Sequence, residues 1–269
     1  IALRDLAGIS VPGSLSFITQ ASLDSVIDNS RRNPFINDIL QIGTKDTFSI
    51  EEFFHIEHVD SDALRSPMYI HLDLSLTTDR TGISGCSVVS RKDIEMEDGR
   101  KVSMPFFKHV FSIALEAPKG DKIPYSKIVA FICWLRQQKF DIRLISRDQF
   151  QSEYLAQILE EQGFKVSKIS LDRTPDGYMA LRSVILEERI NMLHCQLLED
   201  ELIELQRDSV TGKIDHKVGG SKDVADSFAG SIWNAILDNP EPTPSINKYM
   251  KSISAVNTSI SYKFVVPND

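Results

Sequence analysis

A chain of 269 residues, 42% hydrophobic and 25% charged, has the make-up of an ordinary globular protein, long enough for one large domain with an appendage. Its longest apolar run, Ile128 to Leu135 (IVAFICWL), falls far short of the roughly 20 residues that cross a bilayer as a helix, so no membrane-spanning helix is expected. A formal net charge of -8 argues against autonomous binding to nucleic acid through phosphate neutralisation. Cys86, Cys133 and Cys195, scattered and without a CxxC pair, argue against a disulfide framework or a cysteine-rich zinc site and point to a reducing compartment.

The chain opens on Ile1 with neither a basic start and apolar core nor a small-residue cleavage pattern, and reads as an excised portion of a longer polypeptide. Residues 1–65 contain helical-looking pieces, Leu15 to Ile27 and Phe35 to Ile42 with Pro34 suited to a first turn, and no strand periodicity; they are expected to form a lead-in or linker segment. His55 and His58 have no matching Cys or His pair at finger spacing, so structural zinc is not expected. Pro67 precedes the first strong strand and sets the start of the main domain near Ser66.

From Met68 the pattern is sheet-like: a strand over about 68–77, a turn containing Asp79 and Gly82, a strand over about 83–91, a tight turn at Asp98-Gly99, and a third strand from Val102 to about Leu115. After Pro124, apolar residues at Ile128, Phe131, Ile132 and Leu135 predict a helix packed on the sheet. A buried strand from Asp141 to Ser146, a helix stopped by Gly163 and a short strand in KVSKISL make the middle of the chain βαβ, with parallel pairing. A helix over 174–190, an extended piece running into helix at MLHCQLL, a hairpin-like region over 206–218 and a last helix from about Lys222 to Leu237 carry the domain to about residue 240. Residues 241–269 read as a loosely attached tail. The class is α/β: a mixed sheet of three antiparallel strands followed by parallel βαβ strands, flanked by helices.

Three acidic segments stand out. In IHLDLS, strand alternation puts His71, Asp73 and Ser75 on one face and Ile70, Leu72 and Leu74 on the other; a mid-strand carboxylate needs a cation, a hydrogen-bond network or solvent, and a water-facing sheet edge would serve as well as a site. Asp148 lies two residues beyond an apolar strand, where open α/β sheets place ligands, and with Gln151 it also fits a capping box. In GGSKDVAD, Ser221 is a plausible cap and Asp223 and Asp226 share a helical face; the helix dipole favours the first, and a solvated face would account for the second. His216 could approach the same place as a ligand, proton carrier or phosphate contact, or sit in a surface loop. Lys and Arg recur beside these motifs at Arg80, Arg147 and Lys222, and in the hairpin around Arg91, Lys92, Arg100, Lys101 and Lys108, a local basic lane for DNA or a solvated mixed-charge surface.

Three carboxylates brought close would raise one another's pKa unless a divalent cation neutralised them, and oxygen-only ligands suit Mg²⁺ or Mn²⁺. Two such ions about 3.5–4 Å apart would activate water and stabilise the leaving oxygen of a phosphodiester, so phosphodiester hydrolysis is the simplest reading.

Taken together, IHLDLSLTTDRTGISG (70–85), LISRDQFQS (144–152) and HKVGGSKDVADSFAG (216–230) resemble the C-terminal nuclease domain of the large terminase subunit of tailed bacteriophages, over about residues 66–240. The resemblance implies a ribonuclease H-like fold. It maps the first catalytic aspartate onto Asp73, the second onto Asp148 and the third onto the KDVAD helix start, with Asp223 preferred and Asp226 the alternative. It also implies cleavage of concatemeric viral DNA with Mg²⁺ or Mn²⁺, in the cytoplasm of the infected host, alongside the terminase small subunit, the portal and an upstream ATPase domain of the same polypeptide. No GxxxxGK[ST] phosphate loop occurs here, VTGKID being too short, so this chain should not hydrolyse ATP. The competing readings are another ribonuclease H-like DNA nuclease of resolvase or transposase type, and a noncatalytic portal-docking module.

Overall fold

The computed structural model describes residues 16–239 apart from 48, 76–79, 97–98, 149–152, 172 and 209–210; Asp79, Asp98, Gln151 and the expected tail lie outside the described residues. In chain order the elements are α1 (Gln20–Asp24), β1 (Ile27–Arg32), β2 (Ile39–Gln41), α2 (Ser61–Leu64), β3 (Pro67–Asp73), β4 (Thr81–Glu95), β5 (Lys101–Glu116), α3 (Tyr125–Gln137), β6 (Asp141–Arg147), α4 (Glu153–Glu161), β7 (Val166–Lys168), α5 (Asp176–Leu186), β8 (Ile190–His194), α6 (Gln196–Glu204), β9 (Gln206–Arg207), β10 (Ile214–Asp215) and α7 (Asp223–Asp238). The main sheet has eight strands in the order β1-β8-β5-β4-β3-β6-β7, with β2 pairing on β5; β9 and β10 form a separate ribbon. The β3-β4-β5 run is antiparallel, and β6 and β7 add in parallel beside β3, as the sequence pattern predicts.

The central strand β3 is buried on both faces because it lies between β4 and β6 with helices above and below. A water-facing edge at this strand is therefore ruled out. Met68, Ile70 and Leu72 join an apolar core with Ile128, Phe131, Ile132 and Leu135 of α3 and Leu155 and Leu159 of α4. Tyr69 points the other way, into a second core formed by α5, α6 and α7. Alternation then turns His71 and Asp73 towards α7 as well. The hairpin tip has Gly99 at φ +78, and Gly163, at φ +80, ends α4, left-handed positions that glycine occupies without a Cβ clash.

Upstream of Ser66 the structure corrects the helical expectation. The helix near residue 20 is one short turn long, Ile27 begins a strand, and Phe35 to Ile42 contains β2 instead of a helix. β1 pairs in parallel with β8 (Ile27↔Met192) and β2 with β5 (Ile39↔Ala114). These segments are part of the sheet, so the sheet begins well before the expected boundary. β1 (IDNSRR) hides its strand nature because its polar residues are satisfied across the fold: Arg31 donates to Asp60 Oδ2 (2.6 Å), Asn191 Oδ1 (2.7 Å) and His109 O (2.7 Å). Phe35 has helical spacing to its neighbours, yet it packs into an aromatic cluster with Phe54, Phe111 and Phe131 that only the folded chain assembles. The helix expected over 174–190 stops at Leu186, where Glu188 turns to φ +50 and Ile190 starts β8.

Candidate active site

One end of the sheet gathers the acidic motifs. The last residue of β3, Asp73, is registered against Gly82 at the start of β4, and Leu72 against Arg147 at the end of β6. The Asp148 N–H donates to Leu72 O (3.4 Å), carrying the parallel ladder one residue further, so Asp148 stands beside Asp73 at the neighbouring strand end. The third segment arrives on α7. Gly82 allows this approach, since a Cβ there would stand 1.9 Å from the Asp223 carbonyl oxygen. Further along, Gly230 lies flat over the His71 ring, where a Cβ would meet it at 2.3 Å. Ser227 Oγ and Ser84 Oγ share a hydrogen bond (2.7 Å), and Asn234 Nδ2 donates to Ile70 O (3.2 Å) and Ser146 Oγ (2.5 Å). Small and hydroxyl-bearing side chains thus hold α7 against β3, β4 and β6 and fix where its first turn ends up.

The electrostatics follow from this convergence. Burial pushes the Asp73 carboxyl well above the usual carboxylate range, and the charges of Asp226, Asp223 and Asp148 push it further, with Lys222 opposing. Asp226 is 9% exposed; Tyr178 Oη donates to its Oδ1 (2.5 Å) and Lys222 Nζ lies 3.1 Å from its Oδ2. The solvated helix face expected for Asp226 is therefore incorrect, because α5 covers it with Tyr178. Ser221 does not cap α7: the cap position is Lys222, without a side-chain cap bond, and Ser221 Oγ donates to Asp223 Oδ2 (2.5 Å). Burial would raise Asp215, but donation from Lys213 Nζ (2.6 Å) and the His216 N–H (3.0 Å), with the nearby Lys222 charge, holds it below its ordinary value.

Asp73, Asp148, Asp223, Asp226 and Lys222 therefore come together. The other sequence candidates are engaged by other partners. His216 points its Nδ1 at Lys217 O (2.7 Å) and its Nε2 towards Asp215 (3.8 Å), the carboxylate on which the Lys222 charge also acts. Arg80 is at this end of the sheet and donates to Glu116 Oε1 (2.7 Å). Arg147, 5% exposed, is paired with the exposed carboxylate of Glu153 (2.9 Å). Arg100 and Lys101 lie at the far tip of the β4–β5 hairpin, on the order of 40 Å of strand from Gly82. Tyr178, Glu201 and Asp215 were not legible as site residues: LEDELIE reads as a solvated acidic helix face, and DGYMALRS carries no motif.

Among the described residues no group of three or more His, Cys, Asp or Glu is drawn into a cage ready for a cation. The donor set is nonetheless that of a hard divalent ion: carboxylates alone, four of them, with one lysine as countercharge, and Asp73 driven towards its neutral form by burial and by the charges of its neighbours. No helix of the described residues is long and apolar enough to cross a membrane.

A mixed sheet with this antiparallel-then-parallel order, helices on both faces and acids at the ends of its central strands defines a ribonuclease H-like α/β fold. No family model and no curated protein matches the sequence. Among solved structures, the chain is similar to the large terminase nuclease from thermophilic phage G20c with bound magnesium (TM-score 0.52, 13% identity, 83% of this chain and 98% of that one). It is similar too to the large terminase from a second thermophilic bacteriophage (TM-score 0.52, 13% identity, 86% of this chain and 46% of that one). The chain thus spans less than half of that large terminase, and 43% of the HK97 bacteriophage large terminase (16% identity, 82% of this chain, TM-score 0.48). At these identities the likeness establishes the fold.

Proposed function

We propose that this chain is the nuclease part of a phage large terminase, a divalent-metal-dependent endonuclease that cuts concatemeric viral DNA with little sequence preference during genome packaging. The observation that carries the reading is the convergence of Asp73, Asp148, Asp223 and Asp226 on one sheet end of a fold shared with terminase nucleases. Asp73, Asp148 and Asp223 would hold Mg²⁺ or Mn²⁺, with Asp226 beside them, its oxygens engaged by Tyr178 and Lys222. When bound, such ions neutralise the carboxylates, activate water and stabilise the leaving oxygen of the phosphodiester. The chain's own residues do the rest. The β3 and β6 ends fix two carboxylates on one rigid sheet, and α7 sets the third against them. Lys222, buried and paired with Asp226, balances the acidic cluster. A net charge of -8 fits a nuclease to which DNA is presented by an upstream ATPase domain, the small subunit and the portal, in the cytoplasm of the infected host.

The test is incubation of the chain with supercoiled plasmid in Mn²⁺, Mg²⁺ or EDTA, beside Asp73→Ala, Asp223→Ala and Asp226→Asn variants shown to be folded by circular dichroism. Cleavage should need metal, Asp73 and Asp223. Retention of cleavage by Asp73→Ala would sink the assignment, and loss with Asp226→Asn but not Asp223→Ala would transfer the ligand role to Asp226.

A further inference from the structure

The first turn of α7 begins without a cap of its own, although four N–H groups at a helix start have no partner within the helix. Its partner comes from another element. Glu201, on α6 and 3% exposed, accepts the Ala225 N–H at Oε2 (2.8 Å), and the Val224 N–H is directed at the same carboxylate. Its Oε1 accepts from Ser221 Oγ at 3.3 Å, the same hydroxyl that donates to Asp223 Oδ2 at 2.5 Å, so one hydroxyl is shared between the two carboxylates. Around Glu201, α6 presents Leu198 and Leu202 to the core, where an apolar side chain would pack at no desolvation cost and a carboxylate is tolerated only because its oxygens are bonded.

We propose that Glu201 is a positioning residue for the metal-binding aspartate of α7: it caps the helix from outside and, through Ser221, sets the direction of the Asp223 carboxylate. The inference rests on the reading of the site as a divalent-metal centre. It explains why α7 can begin on Lys222 and still present Asp223 in a fixed orientation. A cap supplied by the preceding residue would have taken the place of the lysine that balances Asp226.

Mn²⁺ affinity of the full chain, measured by calorimetry well below the melting temperature, is the decisive quantity, with melting temperature recorded in parallel. Residues that orient metal ligands typically contribute about 10–100-fold in affinity. Glu201→Ala should therefore weaken Mn²⁺ at least about tenfold. Ser221→Ala, which leaves the cap intact, should also weaken it, by about threefold or more. Glu201→Gln keeps the shape and one acceptor, so it provides a folded variant of intermediate affinity if Glu201→Ala does not fold. On an Asp223→Asn background neither change should matter further. If the wild type binds Mn²⁺ and Glu201→Gln and Ser221→Ala bind it within about twofold of wild type, Glu201 is a cap alone and the inference fails while the site reading stands. A wild type that binds no Mn²⁺ overturns the site reading and the inference with it.

Discussion

The two faces of the sheet are built in opposite ways. On the α3–α4 face, Phe35, Phe54, Phe111, Phe131 and Trp134 pack edge to face or tilted with ring centroids 5.0–5.9 Å apart, a bulky apolar layer in which every contact adds burial. On the α7 face, glycines, serines, buried His71 and His109, and Asn234 bring a helix down onto the strands. His109 Nε2, Ser112, Ser84 and Ser227 form a continuous hydroxyl chain at 2.7–2.8 Å that ends on the first turns of α7. The first face supplies bulk stability. The second gives up apolar volume for close approach and directional bonds, which is what setting a carboxylate on the far helix against two strand ends demands.

This contrast can be broken at the site itself. Asp73→Ala should lower plasmid cleavage by about a thousandfold or more, equal to roughly 4 kcal/mol of barrier, with the circular dichroism spectrum unchanged. The apolar face should separate stability from activity: Phe131→Ala should cost about 3–5 kcal/mol in urea unfolding, while the folded fraction cleaves within about threefold of wild type. Gly82→Ala should do the reverse, since the added methyl collides with the Asp223 carbonyl. A loss of about 1–3 kcal/mol is expected, with a disproportionate fall in cleavage rate and Mn²⁺ affinity as the first turn of α7 is displaced. Ser84→Ala leaves Ser112 and Ser227 one partner short and should cost about 1–3 kcal/mol, read as a lower urea midpoint.

The smallest effect is in pH. Asp73 titrates above its ordinary 3.8 in the fold, so its contribution to stability is complete below that value and is lost as pH rises through the raised folded value. In EDTA, Asp73→Asn should therefore melt above wild type by a margin that grows as pH rises above about 4. A constant margin would mean that neither burial nor the charges of its neighbours raise Asp73 in the fold.

Much of this architecture was legible in the sequence. IHLDLS, DIRLIS and the Asp98-Gly99 turn display their periodicity and turn chemistry locally, so the order of three antiparallel strands and then βαβ could be read, as could the apolar face of α3 at Ile128, Phe131, Ile132 and Leu135. The acidic motifs stood out because a carboxylate inside or just beyond an apolar run is costly without a reason. Arg147 looked like a surface cation because nothing in LISRDQ reveals that it is buried and paired with Glu153, and Glu201 looked solvated because its partners Ser221 and Ala225 lie some twenty residues away.

Local pattern settles the strands and helices whose hydrophobic period repeats within a few residues, and the three aspartate-bearing segments. Long-range packing is what brings β1 and β2 into the sheet, buries Asp226 under Tyr178 and sets Glu201 against the start of α7. Each depends on pairing across a large separation, Ile27 with Met192, Asp226 with Tyr178, Ala225 with Glu201, where backbone and carboxylate groups are satisfied by residues that no local pattern can name.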